Sequence, residues 1–184
     1  MKAVRSFGII LAVAGLAGSA IAQVRQEQPV SALKGHNSNA PVDVTADRIE
    51  VQDRADRAIF AGSVHVTQGE LSLETPRLTV AYSGGQAGGG SVQIRRLDAA
   101  GGVVVKSPSE TARGDFGIYD LDRKLITLIG NVQLRRQNDE VNGARLVIDL
   151  DSGRAVVDGG PPGLNHSGGR VTGHFTVPQN QKSK

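Results

Sequence analysis

Three kinds of residue in this 184-residue chain have side chains or spacing suited to chemistry: four histidines, scattered carboxylates and a glycine-rich loop. A metal centre or a general base would draw on His36, His65, His166 and His174. Metal-binding histidines usually stand two or four residues apart with an acid nearby, which puts both rings on one face. No two of the four are so spaced, and His65 falls on the polar side of an alternating run. Paired carboxylates perform acid–base work when one sits in an apolar pocket. Asp47, Glu74 and Asp115 instead fall beside turns or on polar strand faces, where water satisfies them. Residues 83–91 (Ser-Gly-Gly-Gln-Ala-Gly-Gly-Gly-Ser) have the glycine density of a phosphate cradle. A cradle needs a following helix and a Lys-Ser/Thr pair; neither is present, so the segment reads as a flexible connection. No Gly-x-Ser-x-Gly elbow occurs. The residue types argue against an enzyme, and no metal or cofactor is expected.

The elements that would carry these residues read as strands. Gly-x-Val-x-(Val/Leu) occurs three times, beginning at Gly62, Gly101 and Gly130. The first and third copies lie in segments 46–82 and 114–150, which align without gaps. Asp47/Asp115, Gly62/Gly130, Val64/Val132, Arg77/Arg145 and Leu78/Leu146 are identical, and the apolar alternation is kept between them. Glycine within a strand marks a bulge, a bend or a close backbone approach. The small-Asp steps Ala46-Asp47 and Gly114-Asp115 open each repeat, and the Asp is expected to fix a corner by bonding nearby backbone. No 3.6-residue apolar period appears beyond the N-terminus. Strands arriving every eight to twelve residues predict an all-β sandwich, jelly roll or solenoid.

The N-terminus reads as a cleavable export signal over 1–22, with Lys2 and Arg5, an apolar run from Phe7 to Ala17 and the small-x-small Ala20-Ile21-Ala22. Those residues carry two basic and no acidic side chains, so the formal charge falls from +3 to +1 without them. With 3% aromatic residues, that balance excludes a nucleic-acid surface. There is no cysteine, so an exported domain must rest on core burial alone. A flexible leader is expected over 23–40, one domain over 41–178 and a disordered tail over 179–184.

The quoted residues support a resemblance. Thr45-Ala46-Asp47-Arg48, Phe60-Ala61-Gly62-Ser63-Val64 and Arg77-Leu78-Thr79-Val80 resemble the OstA-like domain of the lipopolysaccharide-transport family, and Leu128-Ile129-Gly130-Asn131-Val132 with Gly143-Ala144-Arg145-Leu146 resemble it again. The resemblance implies an open, twisted antiparallel β-jelly roll, a folded-sheet trough built from two related halves. It also implies a periplasmic protein that shields lipid A acyl chains of lipopolysaccharide in an apolar groove. An LptC-like partner at the N-terminal edge, an LptD-like partner at the C-terminal edge and head-to-tail self-association are implied with it. The alternatives are a membrane-anchored LptC-like relative and an exported structural or adhesive β protein that binds no lipid. Alternation assigns Val42, Val44, Ile49, Val51, Phe60, Val64, Val66, Leu71, Leu73, Leu78 and Val80 to the inward face of the first half. Val103, Val105, Tyr119, Leu121, Leu128, Val132, Leu134, Val141, Leu146 and Ile148 continue it; near Phe116–Tyr119 both parities fit the pattern. The resemblance makes these positions the expected lipid-contacting lining.

Overall fold

Branched apolar residues alternating with polar ones give ten antiparallel strands and a single 3₁₀ turn at Asp53–Ala55 among the residues that the computed structural model describes, which are 33, 36–84, 92–160 and 169–176. The strands are β1 Asp43–Thr45, β2 Arg48–Gln52, β3 Arg57–Gln68, β4 Leu71–Ser83, β5 Gln93–Lys106, β6 Glu110–Asp120, β7 Leu125–Arg136, β8 Asp139–Asp149, β9 Arg154–Asp158 and β10 Thr172–His174. They form one sheet in which β3 to β8 pair in chain order. β1 and β2 both lie beside β3, and β9 and β10 both lie beside β8. No described pairing joins the first strands to the last, so the sheet does not close.

A crease crosses β3 to β8 at one level. Inward positions on β3, β5 and β7 jump by four residues there, from Phe60 to Val64, Ala99 to Val103 and Leu128 to Val132. On β4, β6 and β8 they jump by three, from Thr75 to Leu78, Gly114 to Gly117 and Gly143 to Leu146. A bulge of this kind adds a residue to one strand of a pair, bends it and sharpens its twist. Gly62 and Gly130 take φ of +80° and +79°, followed by Ser63 and Asn131 at 44° and 46°. The residue facing each glycine packs over it: Asp47 over Gly62, Asp115 over Gly130 and Ala144 over Gly160 take the space a Cβ would need, and Pro76 lies over Gly101 at an ordinary contact distance of 3.4 Å from it. The three glycine copies are therefore one structural feature repeated, and Gly160 makes a fourth. Gly101 is a full member of the set.

The crease folds the sheet onto itself. β3 and β6 are separated by two strands, so in a flat sheet their side chains would stand roughly 14 Å apart. Yet the Tyr119 hydroxyl of β6 donates to Gln68 Oε1 of β3 at 2.8 Å. The two arms of each strand face one another across an apolar interior. Leu78, Leu128 and Leu146 are completely buried along one ladder, and Val64, Val103 and Val132 line the crease. The expected all-β, open and twisted trough is the architecture found.

One expectation needs correction. Ile49 and Val51 share the inward ladders of Phe60 and Ala58, but both are 56% exposed because β2 has no described strand beyond it. Leu121 follows β6 in the turn to β7 and packs, partly buried, against the core as expected. In the stretch expected as a flexible leader, Ser38 and Ala40 accept hydrogen bonds from Gln68, and Leu33 is buried. Parity at β6 is settled: Tyr119 is buried and Phe116 is 55% exposed on the outside. The export signal, the tail and most of the glycine-rich loop lie outside the described residues, as do His166, Pro161-Pro162 and Val177.

Candidate functional site

The interior is built by strand parity. Cross-strand neighbours in an antiparallel sheet point to the same side, so each inward residue continues a row. One row runs Val44, Val66, Leu73, Val105, Ala112, Leu134 and Val141 across seven strands. On the other arm a row runs Val51, Ala58, Val80, Leu97, Tyr119, Ile126, Ile148 and Ala155. Between the arms lies a narrow apolar cavity of about 20 Å³ bordered by Val42, Val66, Gln68, Leu71, Leu73, Leu97, Val105, Tyr119, Ile126 and Leu128. The inward-facing residues of the sequence pattern lie along this face, which thins to exposed apolar residues at both ends. Ile49 and Val51 end it at β2. Val171 and Phe175, beside β10, are 43% and 64% exposed at the other end.

Three polar side chains are buried on the inner face, Gln68, Thr75 and Glu110, and none is left unpaired; Glu110, at the start of β6, pairs with Arg136 Nε at 3.8 Å. The Thr75 hydroxyl is within bonding distance of the carbonyls of Ala100, at 3.0 Å, and Arg77, at 3.2 Å, closing the crease. Gln68 is 3% exposed; its Nε2 donates to the carbonyls of Ser38 and Ala40 at 2.9 and 3.0 Å. Its Oε1 accepts from Tyr119 and faces His36 Nε2 at 3.1 Å. Because Gln68 Oε1 can only accept, the Nε2 of His36 carries the proton in this contact. Burial pushes the Tyr119 phenol above its ordinary pKa, against the opposing pull of its bonds to Ser38 and Gln68, so it stays neutral and donating. Gln68, Leu33 and Leu97 were missing from the pattern-derived lining. Gln68 was legible, since it continues the parity of Val64 and Val66; a lone Leu33 in a polar stretch carried no such signal.

The outer face is polar and chemically quiet. His65 is exposed, and Glu74 beside it on β4 is bonded by Lys106 Nζ at 2.7 Å. That bond holds the Glu74 carboxyl below the usual carboxylate range. His174 is exposed on β10. Asp47 and Asp115 sit over the crease glycines, and Asn131 Nδ2 donates to Asp115 at 2.8 Å. The expected corner role for these aspartates therefore takes the form of packing against a bulge. Among the described residues no three His, Asp or Glu side chains are grouped as metal ligands would be. No described helix is long and apolar enough to cross a membrane.

The chain is an unclosed, creased β-trough with an apolar inside and a polar outside. Residues 43–154 match the family described as LptA/(LptD N-terminal domain) LPS transport protein, and this chain belongs to that family. An uncharacterised protein of Rhizobium meliloti (strain 1021) is 33% identical over 154 residues, covering 80% of this chain and 83% of that one. The crystal structure of LptH, the LptA-homologous periplasmic component of the lipopolysaccharide transport device of Pseudomonas aeruginosa, shares the fold. Its TM-score is 0.66 at 17% identity, with 77% of this chain and 99% of that chain covered.

Proposed function

We propose that this protein is a periplasmic carrier of lipopolysaccharide that shields lipid A acyl chains in its trough and forms part of a bridge between the two membranes. The observation that carries the reading is the lining: an apolar inner face continuous over β3 to β8, with no unpaired buried polar side chain among the described residues. An acyl methylene exposed to water costs roughly 0.8 kcal/mol, so a 12-carbon chain costs about 10 kcal/mol unshielded. A wall of Val, Leu and Ile offers similar contact along its length, so a chain can slide without a deep trap. The open top leaves the charged headgroup in water. Family membership supports the transport role.

The ends support assembly. Among the described residues β1 and β2 have a strand on one side only, as do β9 and β10. Their free edges and exposed apolar residues suit strand addition that extends the trough into a neighbour. In this reading an LptC-like partner meets the β1/β2 edge and an LptD-like partner meets the β9/β10 edge. Copies of the chain stack head to tail, because such a contact does not close.

Photocrosslinking tests the shielding. Benzoylphenylalanine replaces Phe60, which faces inward, or Phe116, which faces out, with little change of shape. Irradiation in cells should give lipopolysaccharide adducts from position 60 and not from 116. Equal labelling at both positions refutes the reading.

A further inference from the structure

Resting on the trough reading, we infer that Leu33 and His36–Ala40 form a displaceable lid on the slot between the two arms, which an incoming acyl chain replaces. Leu33 is 4% exposed within the apolar core, and with Val105, Ala112, Leu134 and Ile148 it borders a small cavity of about 10 Å³ that Ser107 and Glu110 also line. The first three belong to the arm beyond the crease and Ile148 to the arm before it, so the leucine sits between the walls. His36–Ala40 continues the lid in a run of tight turns, with His36 N–H on Leu33 O at 3.0 Å and Ala40 N–H on Asn37 O at 3.0 Å. It forms no strand ladder with its neighbours.

Among the described contacts, one amide ties His36–Ala40 to the sheet. Gln68, on the rim of the apolar cleft, donates to two lid carbonyls and accepts from His36, while Tyr119 braces it from the opposite arm. These contacts divide into two kinds with different fates on opening. The lid carbonyls exchange their bonds for water at little cost, while the buried Gln68 Nε2 needs a replacement acceptor. Leu33 would lose its burial in water, but an acyl chain entering the same space supplies the same apolar contacts to the walls. The lid therefore opens readily to an acyl chain and stays shut to water. It keeps the empty slot from exposing a contiguous apolar face, which otherwise invites aggregation. Held by a leucine and an amide where the strands are held by ladders, it is among the lowest-stability parts of the described fold.

The chain has no cysteine, so engineered thiols are unique. His36→Cys with Gln68→Cys, bridged by a short bis-maleimide, ties the lid down; Leu33→Ser loosens it. The readout is stopped-flow uptake of fluorescently labelled lipopolysaccharide. Leu33→Ser should take up the probe about tenfold faster than the parent, from the lost burial of one leucine. Bridging should slow uptake at least tenfold relative to the same double variant before bridging. If parent, loosened and bridged proteins all take up the probe at one rate, the lid is wrong and the transport reading survives. If none of them binds, both fall together. Should Leu33→Ser prove unfolded by far-ultraviolet circular dichroism, the bridged pair alone decides.

Discussion

The crease makes a quantitative prediction through Gly130 and Asp115. Gly130 holds φ at +79°, and a Cβ added there would collide with the Asp115 carboxylate. Gly130→Ala therefore carries two separable penalties. Holding a non-glycine residue in the left-handed region costs about 1 to 2 kcal/mol. Displacing a packed neighbour costs a further 1 to 3 kcal/mol, roughly. Asp115→Ala removes the carboxylate, though its Cβ stays 3.0 Å from the added one, and forfeits the Asn131 hydrogen bond of 2.8 Å, worth about 1 kcal/mol. In the double variant the steric penalty falls to that residual Cβ contact while the backbone penalty stays. The double variant should thus be less destabilised than the sum of the singles by about 1 to 2 kcal/mol, a coupling of the size seen between touching residues. Urea unfolding followed by far-ultraviolet circular dichroism measures all four proteins, and an unchanged slope keeps the comparison two-state. Strict additivity would mean that Asp115 does not pack on Gly130 and would refute the account of the bulge. The same cycle at Gly62 and Asp47 should give the same sign.

Leu128 is completely buried, so Leu128→Ala should lose about 3 to 5 kcal/mol by urea unfolding, whereas Ile49→Ala at the exposed end of the lining should stay within about 0.5 kcal/mol. Glu74 has its folded-state pKa lowered, chiefly by the Lys106 hydrogen bond, so its contribution is full above the ordinary carboxylate range and disappears as pH falls through the lowered value. Both side chains are 44% exposed, which limits the effect to no more than about 0.5 kcal/mol after solvent screening. Lys106→Met should flatten that part of the stability–pH curve, and 1 M salt should shrink it; an unaltered curve would show that the pair is idle.

The fold class and its repeat were readable because period-2 alternation is a local signal that survives wherever one face is buried. Val64, Val66, Leu73, Val103, Val105, Leu128 and Leu146 fell inside as the pattern required. The crease was half readable. Glycine marked the strands that jump by four, but the matching jump by three on β4, β6 and β8 has no shared residue type, since Pro76, Asp115 and Ala144 fill the same role. That is why parity near Phe116 was open in the sequence: the switch between Gly114 and Gly117 is a property of the pair β6–β7, written on both strands. Exposure of Ile49 and Val51 was unreadable for a related reason. Their parity is inward, and only the topology says that no strand follows β2. The docking of Leu33 depends on contacts with residues 72 or more positions away, beyond any local pattern.

Placement of the few polar groups says how the trough can be both stable and permissive. Thr75 is buried at the crease, where its hydroxyl is occupied by the backbone carbonyls of neighbouring strands. An acyl chain passing over it meets a satisfied group and gains nothing by stopping. Gln68 stands at the rim, and its partners come from the lid and from Tyr119. When the lid leaves, its amide nitrogen loses both described acceptors at the place where an acyl chain would join its polar headgroup. A buried donor without an acceptor is costly, so the vacated amide draws either a water or a polar linkage to that position. The interior would then be indifferent to how far a chain has slid, while the rim would favour a polar group at one depth. Sliding along the trough and orientation across it are in this way assigned to different residues.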